Sequence, residues 1–223
     1  MTQRILLAGS TGLIGTLVSD RLLARPEVDL IRLVRQGSSA HGSAIDFEQL
    51  CAAPEARLKE HAPEGAHVAI CCLGTTIRTA GSQAAMVRVD RDYVQAFARG
   101  AHAVGARRFI LVTSAGAGGP GFYLQTKGAA ERAVLDLGFD RVDLIRPGFL
   151  LGQRAERRVW EAIGQRLFAW LTPALVGALS RYGAIDAETV ADAIVALAGR
   201  HDAGVYVHHN ADMRHIGRRS APQ

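Results

Sequence analysis

Cysteine, aromatic residues and long apolar runs are all scarce in this sequence of 223 residues. Three cysteines, two of them neighbours, cannot build a disulfide framework, so a disulfide-stapled secreted fold is excluded. The longest apolar run, residues 167–180, is shorter than a bilayer requires and contains a proline, so we expect no membrane span. An aromatic content of 6% without interleaved basic residues argues against the binding of single-stranded nucleic acid. Histidines and cysteines lack the spacing of zinc ligands, so we expect no metal site.

Lysine is also rare, because 24 of the 26 basic residues are arginine and only Lys59 and Lys127 are lysine. This bias is typical of a GC-rich genome, and we expect a bacterial source. The net charge of +5 is scattered, apart from a small cluster of Arg214, Arg218 and Arg219. A mildly basic enzyme with an anionic cofactor explains this charge as well as nucleic-acid binding does. The first four residues lead directly into a strand-like segment, so we expect a cytoplasmic protein without a secretory leader.

Short apolar runs alternate with longer segments of helical periodicity, which is the pattern of a parallel βαβ fold. The predicted strands are Arg4–Ala8, Asp29–Val34, Ala44–Asp46, His67–Leu73, Arg107–Thr113, Arg141–Ile145 and Val205–His208. The predicted helices are Leu13–Ala24, Ser82–Val104, Tyr123–Leu137, Val159–Leu179 and Glu188–Ala198. Because the strands are almost continuously apolar, helices should cover both faces of the sheet. We therefore expect an α/β fold with a doubly wound parallel sheet, in one domain over residues 1–223 with a short C-terminal helical substrate region.

A glycine-rich turn follows the first predicted strand and opens the first predicted helix. Its residues are Gly9, Ser10, Thr11, Gly12, Leu13, Ile14 and Gly15. The first glycine allows a tight turn, the second lets the backbone approach a pyrophosphate, and the third lets helix and strand pack closely. The N-terminus of the helix favours the negative charge of phosphates. The order of strand, glycines and helix predicts a dinucleotide site, with a merely structural turn as the alternative in a chain of 24 glycines.

The end of the second predicted strand bears on which dinucleotide binds. A site for NAD places an acidic residue there for the ribose hydroxyls, about twenty residues past the turn. Arg35 occupies this place, and no acidic residue follows until Asp46. A guanidinium suits a 2′-phosphate, because it forms charge-assisted bonds to phosphate oxygens. The predicted cofactor is therefore NADP, NAD fits less well, and a solvated surface arginine is the alternative.

A second pattern follows the fifth predicted strand. Ser114 comes directly after this strand, and Tyr123 follows nine residues later. On a helix, Tyr123 and Lys127 are four residues apart and share one face. A compact ammonium can hold ribose hydroxyls and make a nearby phenol more acidic, so Tyr123 is the predicted general acid or base. Ser114 would donate a hydrogen bond to a carbonyl oxygen, although each residue taken singly also has a structural interpretation.

These motifs together resemble the atypical, NAD(P)H-binding branch of the short-chain dehydrogenase/reductases. The shared features are the glycine turn, the serine, the Tyr123 and Lys127 pair, and Arg146-Pro147-Gly148. Three segments are similar to the Tat-interacting-protein type of oxidoreductase, namely Cys71–Thr76, Val87–Tyr93 and Tyr123–Gly128. The resemblance runs from about residue 3 to residue 200 and implies a Rossmann-like fold.

The resemblance also implies contacts and an activity. It implies that Leu73, Gly74 and Thr75 line the cofactor, that Asp46 and Phe47 lie near the adenine, and that Pro147, Gly148, Phe149 and Leu150 flank the nicotinamide. The leading interpretation is an NADPH-dependent reductase of a small carbonyl substrate, with a homodimer as a further expectation. The alternative is an NADPH-binding regulator that acts through a protein partner. A sugar-nucleotide epimerase or dehydratase is a third and more distant interpretation.

Overall fold

A sheet of seven parallel strands forms the centre of the protein. We describe it from a computed structural model, which describes residues 2–151 and 182–220. The strands are β1 (Gln3–Ala8), β2 (Val28–Arg35), β3 (Ser43–Ile45), β4 (Val68–Cys71), β5 (Arg108–Val112), β6 (Arg141–Ile145), β7 (Phe149–Leu151), β8 (Ala184–Asp186) and β9 (Gly204–His208). The order in the main sheet is β3-β2-β1-β4-β5-β6-β9, while β7 and β8 form a separate parallel pair. The predicted doubly wound parallel sheet is confirmed.

Helices connect and cover the strands. They are α1 (Leu13–Leu23), α2 (Phe47–Ala52), α3 (Pro54–His61), α4 (Ile77–Ala80), α5 (Gln83–Val87), α6 (Val94–Ala103), α7 (Phe122–Leu135), α8 (Ala187–Ala198) and α9 (Asn210–Ser220). A π-helical segment, Arg88–Tyr93, lies between α5 and α6. Within the ranges that the structure describes, no helix is both long enough and apolar enough to cross a membrane.

The core lies on both faces of the sheet, because the side chains of each strand alternate between two apolar clusters. Ile5 and Leu7 pack against α1 and α8, whereas Leu6 and Ala8 face the layer that contains α3, α6 and α7. The four residues of β4 and the five of β6 are all buried. This two-sided burial explains why β4 is apolar throughout. The two charged residues of β6, Arg141 and Asp143, are buried as an ion pair at 2.6 Å.

The strand order reverses beside β1, and this reversal sets the place of the site. Ala8 at the end of β1 pairs with Leu33 on one side and with Cys71 on the other. The connections from β1, β2 and β4 therefore emerge together at the carboxyl edge of the sheet. Open α/β sheets bind ligands in the crevice at such a point.

The helices differ from the sequence prediction in two ways: one predicted helix is divided, and four helices, α2, α3, α4 and α9, were not predicted. The single helix predicted over Ser82–Val104 is divided into α5, the π-helical segment and α6. A π turn holds one more residue than an α turn, and here it places Asp90 in the interior. Helices α2 and α3 were not predicted, although Asp46 caps the first and Pro54 begins the second.

The predicted helix Val159–Leu179 lies outside the described residues. The substrate region that this helix would form therefore stays a prediction. The same holds for the prediction of one domain over residues 1–223. The pair of β7 and β8, at the two described ends of this region, was not predicted because each strand has only three residues.

Candidate cofactor and active site

The glycine turn joins the carboxyl end of β1 to the N-terminus of α1. Gly9 has a φ of +83°, and a Cβ there would lie 2.5 Å from the carbonyl carbon of Cys72. A Cβ on Gly15 would collide with the carbonyl oxygen of Gly9. Glycine is therefore required at both positions, since β4 and α1 lie directly against the turn.

The outer side of the turn has the features of an anion site. Among residues 2–151 and 182–220, a Cβ on Gly12 would meet only the Gly9 carbonyl oxygen, at 3.5 Å, so these residues leave the space open. The Ser10 hydroxyl is buried and has no hydrogen-bond partner among the described residues. The first turn of α1 carries N–H groups that the helix cannot satisfy. The other turn residues are exposed Thr11, half-buried Leu13 and buried Ile14. This arrangement fits a pyrophosphate.

A cavity of about 580 Å³ opens at the carboxyl ends of β2, β3 and β4. Five of the residues predicted to bind cofactor line it: Arg35, Asp46, Phe47, Gly74 and Thr75. The structure therefore brings together residues from three separate connections of the sheet. The volume lies in the range of pockets that hold small ligands.

Asp46 and Phe47 also have local structural roles in the cavity wall. The Asp46 carboxylate accepts hydrogen bonds from the N–H groups of Glu48 at 2.8 Å and Gln49 at 3.3 Å, which caps α2. The Phe47 ring stacks on Tyr93 with a centroid distance of 5.1 Å. These contacts hold the wall in place before any ligand binds.

A charged cluster that the sequence did not indicate lies on the same wall. Glu48 forms an ion pair with Arg88 and accepts a hydrogen bond from the Tyr93 hydroxyl at 2.6 Å. The hydrogen bond from Arg88, followed by that from Tyr93, lowers the pKa of Glu48 to about 2. Burial, followed by the hydrogen bond to Glu48, raises the pKa of Tyr93 to about 12. Glu48 is therefore an anion across the physiological range.

Lys127 lies beneath the segment that follows β4. A Cβ on Gly74 would lie 3.2 Å from Lys127 Nζ. The ammonium forms an ion pair with Asp90 at 2.6 Å, and Asp90 also accepts a hydrogen bond from the N–H of Thr75 at 2.8 Å. Leu73, the third residue predicted here, packs against the core beside these residues. Asp90 was missed because its role depends on the π-helical segment, for which the sequence carries no recognised signal.

Ser114 lies just after the carboxyl end of β5, and Tyr123 lies at the start of α7. Lys127 Nζ lies 5.8 Å from the centre of the Tyr123 ring, and 38% of Tyr123 is exposed. The Ser114 hydroxyl is buried without a hydrogen-bond partner among residues 2–151 and 182–220. The structure thus brings Tyr123 and Lys127 into contact range, and it shows no hydrogen bond between Ser114 and Tyr123 in its described part.

A buried network holds α7 against the strand ends. Glu131, one turn after Lys127, accepts a hydrogen bond from the Thr113 hydroxyl at 2.7 Å. Its carboxylate also accepts two bonds from Arg146, at 2.5 and 2.9 Å, which raise the pKa of Arg146. The network joins β5, α7 and β6. It therefore fixes the helix that carries Tyr123 relative to the edge of the sheet.

The segment after β6 forms a further wall. The residues predicted to flank the nicotinamide are Pro147, Gly148, Phe149 and Leu150, the last two in β7. The Ala115 N–H donates to the Pro147 carbonyl at 2.8 Å, which ties this segment to the loop after β5. The buried amide of Asn210 accepts from the Gly148 N–H at 3.0 Å and donates to the Gly183 carbonyl at 2.8 Å. Asn210 was missed because it comes far later in the sequence.

In the part of the chain that the structure describes, no group of three or more His, Cys, Asp or Glu residues could hold a metal ion. Burial raises the pKa of Cys71 to about 12 and also raises that of Cys72. Both thiols therefore stay protonated at neutral pH and act as packing residues.

The fold and the site define a dinucleotide-binding Rossmann protein. Residues 9–201 match the profile of a family described as NAD(P)H-binding. The chain belongs to this NAD(P)H-binding family.

Two curated relatives extend this result. Protein HTATIP2 of Rattus norvegicus is 41% identical over 138 residues, which cover 60% of this chain and 53% of that protein. The chain thus spans about half the length of the rat relative. Protein FMP52, mitochondrial, of Coccidioides immitis is 34% identical over 174 residues, which cover 70% of each chain. The resemblance to atypical short-chain dehydrogenase/reductases of the HTATIP2 type is confirmed.

Solved structures show the same fold. RMD from Pseudomonas aeruginosa, complexed with NADPH, superposes with a TM-score of 0.65 at 18% identity over 97% of this chain and 80% of that chain. MoeE5 in complex with UDP-glucuronic acid and NAD superposes with a TM-score of 0.66 at 17% identity over 93% of this chain and 76% of that chain. Because these identities are low, the likeness concerns the fold alone.

Proposed function

We propose that this protein is an NADPH-dependent oxidoreductase that reduces a small carbonyl compound. The observation that carries the proposal is the arrangement around α7. Tyr123 and Lys127 lie side by side on α7, and Lys127 Nζ lies behind Gly74, which lines the cavity. Ser114, directly after β5, has a buried hydroxyl. A carbonyl oxygen that gains charge requires a proton donor and a hydrogen-bond donor, and Tyr123 and Ser114 supply these groups.

The residues present fit a nicotinamide dinucleotide. The turn from Gly9 to Gly15 would hold the pyrophosphate through the free N–H groups of α1. Arg35 supports NADP over NAD, because its exposed guanidinium at the end of β2 can pair with a 2′-phosphate. Bound NADPH would supply the hydride for the carbonyl carbon.

Side chains of the protein would supply the proton and the hydrogen bond that the carbonyl oxygen requires. The Tyr123 hydroxyl would donate its proton to the carbonyl oxygen, while Ser114 donates a hydrogen bond to the same oxygen. Lys127 would hold ribose hydroxyls from beneath Gly74. The Glu131 and Arg146 pair keeps α7 in place during this step.

Replacement of Tyr123 tests the proposal most simply. A panel of aldehydes, ketones and quinones is assayed for oxidation of NADPH by the wild-type protein, Tyr123→Phe and Tyr206→Phe. Tyr206, which lies in the edge strand β9, is a matched control, because its hydroxyl donates to the Ala203 carbonyl. We expect Tyr123→Phe to lose turnover and keep its affinity for NADPH, whereas Tyr206→Phe keeps both. Full turnover in Tyr123→Phe would exclude the assignment.

A second function, an NADPH-binding regulator with a protein partner, is favoured by one observation. The ammonium of Lys127 is already paired with Asp90, so less of its charge is available to assist Tyr123. A regulator would show no turnover that depends on Tyr123. Partner binding and cofactor binding would instead change each other's affinity by the same factor, which calorimetry with both ligands measures.

The proposal includes the source and the cellular location of the protein. We propose a bacterial, cytoplasmic protein, whereas the Coccidioides immitis relative is named mitochondrial. Fractionation of the native host tests the location. Sedimentation of the purified protein tests the expected homodimer.

A further inference from the structure

A buried ion pair connects the π-helical segment to α7. The side chains of Asp90 and Lys127 are 0% and 7% exposed, and their charged atoms are 2.6 Å apart. The second carboxylate oxygen of Asp90 accepts a hydrogen bond from the Thr75 N–H. Two oppositely charged groups removed from water in this way depend on each other, because either one alone would be an uncompensated buried charge.

This pair lies directly behind the wall of the cofactor cavity. Gly74 and Thr75 line the cavity, and both contact the pair from the other side. A single backbone layer therefore separates the two charges from this cavity, and the nicotinamide end of the cofactor would approach Lys127 from the side of Tyr123. Across one backbone layer, and with both side chains buried, an uncompensated unit charge would still act on a bound ligand.

The other described groups near the ion pair of Asp90 and Lys127 add little net charge. Glu131 and Arg146 form a second compensated pair one turn further along α7. The Cys71 thiol is neutral, because burial raises its pKa to about 12. The charge of Lys127 is thus balanced by Asp90 and by no other described group near it.

The two redox forms of a nicotinamide differ in charge, since the oxidised ring is a cation and the reduced ring is neutral. An uncompensated Lys127 would repel the oxidised ring. We propose that Asp90 is a positioning residue that neutralises Lys127 behind the cavity wall and thereby sets the relative affinity of the protein for NADP⁺ and NADPH. This inference rests on the proposed function in one respect, namely that the nicotinamide end of the cofactor lies beside Lys127.

The test compares the affinities for NADP⁺ and NADPH rather than turnover. Asp90→Asn keeps an acceptor for the Thr75 N–H and removes the negative charge. We expect the ratio of the dissociation constants, NADP⁺ over NADPH, to rise by about three- to tenfold in calorimetric titrations at fixed salt. If Asp90 had a purely structural role, Asp90→Asn would lower the affinities for NADP⁺ and NADPH equally. The ratio would then be unchanged, which would overturn the inference.

Two further variants keep the test decisive if Asp90→Asn does not fold. Lys127→Met leaves the carboxylate uncompensated, so the ratio should move in the opposite direction. The double variant Asp90→Asn with Lys127→Met removes both charges and should return the ratio close to that of the wild type. An unchanged ratio in the folded Lys127→Met variant would also overturn the inference.

Failure of this inference is distinguishable from failure of the proposed reductase. A shifted ratio without turnover on any carbonyl compound would exclude the reductase and retain the role of Asp90. Turnover that depends on Tyr123, together with an unshifted ratio of dissociation constants, would retain the reductase and exclude the role of Asp90.

Discussion

The two ends of the candidate cofactor site use charge in opposite ways. At the cavity end formed by β2 and α2, the charged groups are exposed, as in Arg35 and the Glu48 carboxylate. At the end formed by β5 and α7, Lys127 and Glu131 are buried and each has a partner. Exposed charges exchange protein contacts for water at little cost, whereas a buried charge depends on its partner. We therefore expect substitution of the exposed charges to change ligand preference without loss of the fold. Substitution of a buried charge at β5 and α7 should instead destabilise the fold.

The largest expected effect is on stability, at the buried end. Glu131→Ala removes the partner of both Arg146 and Thr113, so we expect the free energy of unfolding to fall by about 3 kcal/mol. Urea denaturation measures this change. Glu48→Ala is the matched control, because it removes a carboxylate and an arginine pair at the exposed end and should destabilise much less. Equal losses in the two variants would contradict the comparison.

The next effect is on ligand preference, at the exposed end. Arg35→Asp should reduce the affinity for NADPH by about tenfold or more and narrow or invert the preference over NADH, because charge-assisted bonds contribute about 1.5–3 kcal/mol each. Titration with both cofactors measures the preference. Arg200→Asp makes the same charge change at an exposed residue beyond α8 and should leave the preference for NADPH over NADH unaltered. Equal affinities for NADPH and NADH in the wild type would refute the role of Arg35.

A smaller effect concerns the pH dependence of stability. The pKa of Glu48 is lowered from 4.5 to about 2 by Arg88 and Tyr93, so its stabilising contribution is present above pH 4.5 and is lost as pH falls towards 2. The difference in Tm between the wild type and Glu48→Gln should be constant above about pH 5 and should narrow below it. Differential scanning fluorimetry over this range measures it. A difference that widens on acidification would have the wrong sign.

The smallest effect is a difference in thiol reactivity. Cys51 is half-buried at the exposed end, whereas Cys71 is fully buried in β4, where burial raises its pKa to about 12. We expect iodoacetamide to modify Cys51 first and Cys71 only after unfolding, because the thiolate is the reactive form. Mass spectrometry of the labelled peptides shows the order. Early modification of Cys71 in the folded protein would contradict its burial.

The parts of the site that the sequence predicted are those encoded by short spacings. The glycine turn is contiguous, and Tyr123 and Lys127 are neighbours on one helical face, so their proximity follows from helix geometry. The seven strands of the main sheet were predicted because each is a short segment rich in apolar residues, whereas the three-residue strands β7 and β8 were not predicted. The roles of these residues towards the cofactor are predictions.

The parts that the sequence did not predict depend on contacts between distant segments. Asp90 reaches Lys127 only because a π turn interrupts the helix predicted over Ser82–Val104. Asn210 reaches Gly148 only after the chain has formed β9 and begun α9. Tertiary contacts of this kind have no local pattern, so periodicity and motif spacing carry no information about them.

The most direct test of the account is a crystal structure of the protein with NADPH bound. We predict the pyrophosphate over the turn from Gly9 to Gly15, the adenosine in the cavity with its 2′-phosphate near Arg35, and the nicotinamide ring beside Tyr123. The Ser10 hydroxyl, which has no partner among the described residues, should then donate to the cofactor. A cofactor bound elsewhere, or a nicotinamide remote from Tyr123 and Lys127, would contradict the central claim that both ends belong to one catalytic site.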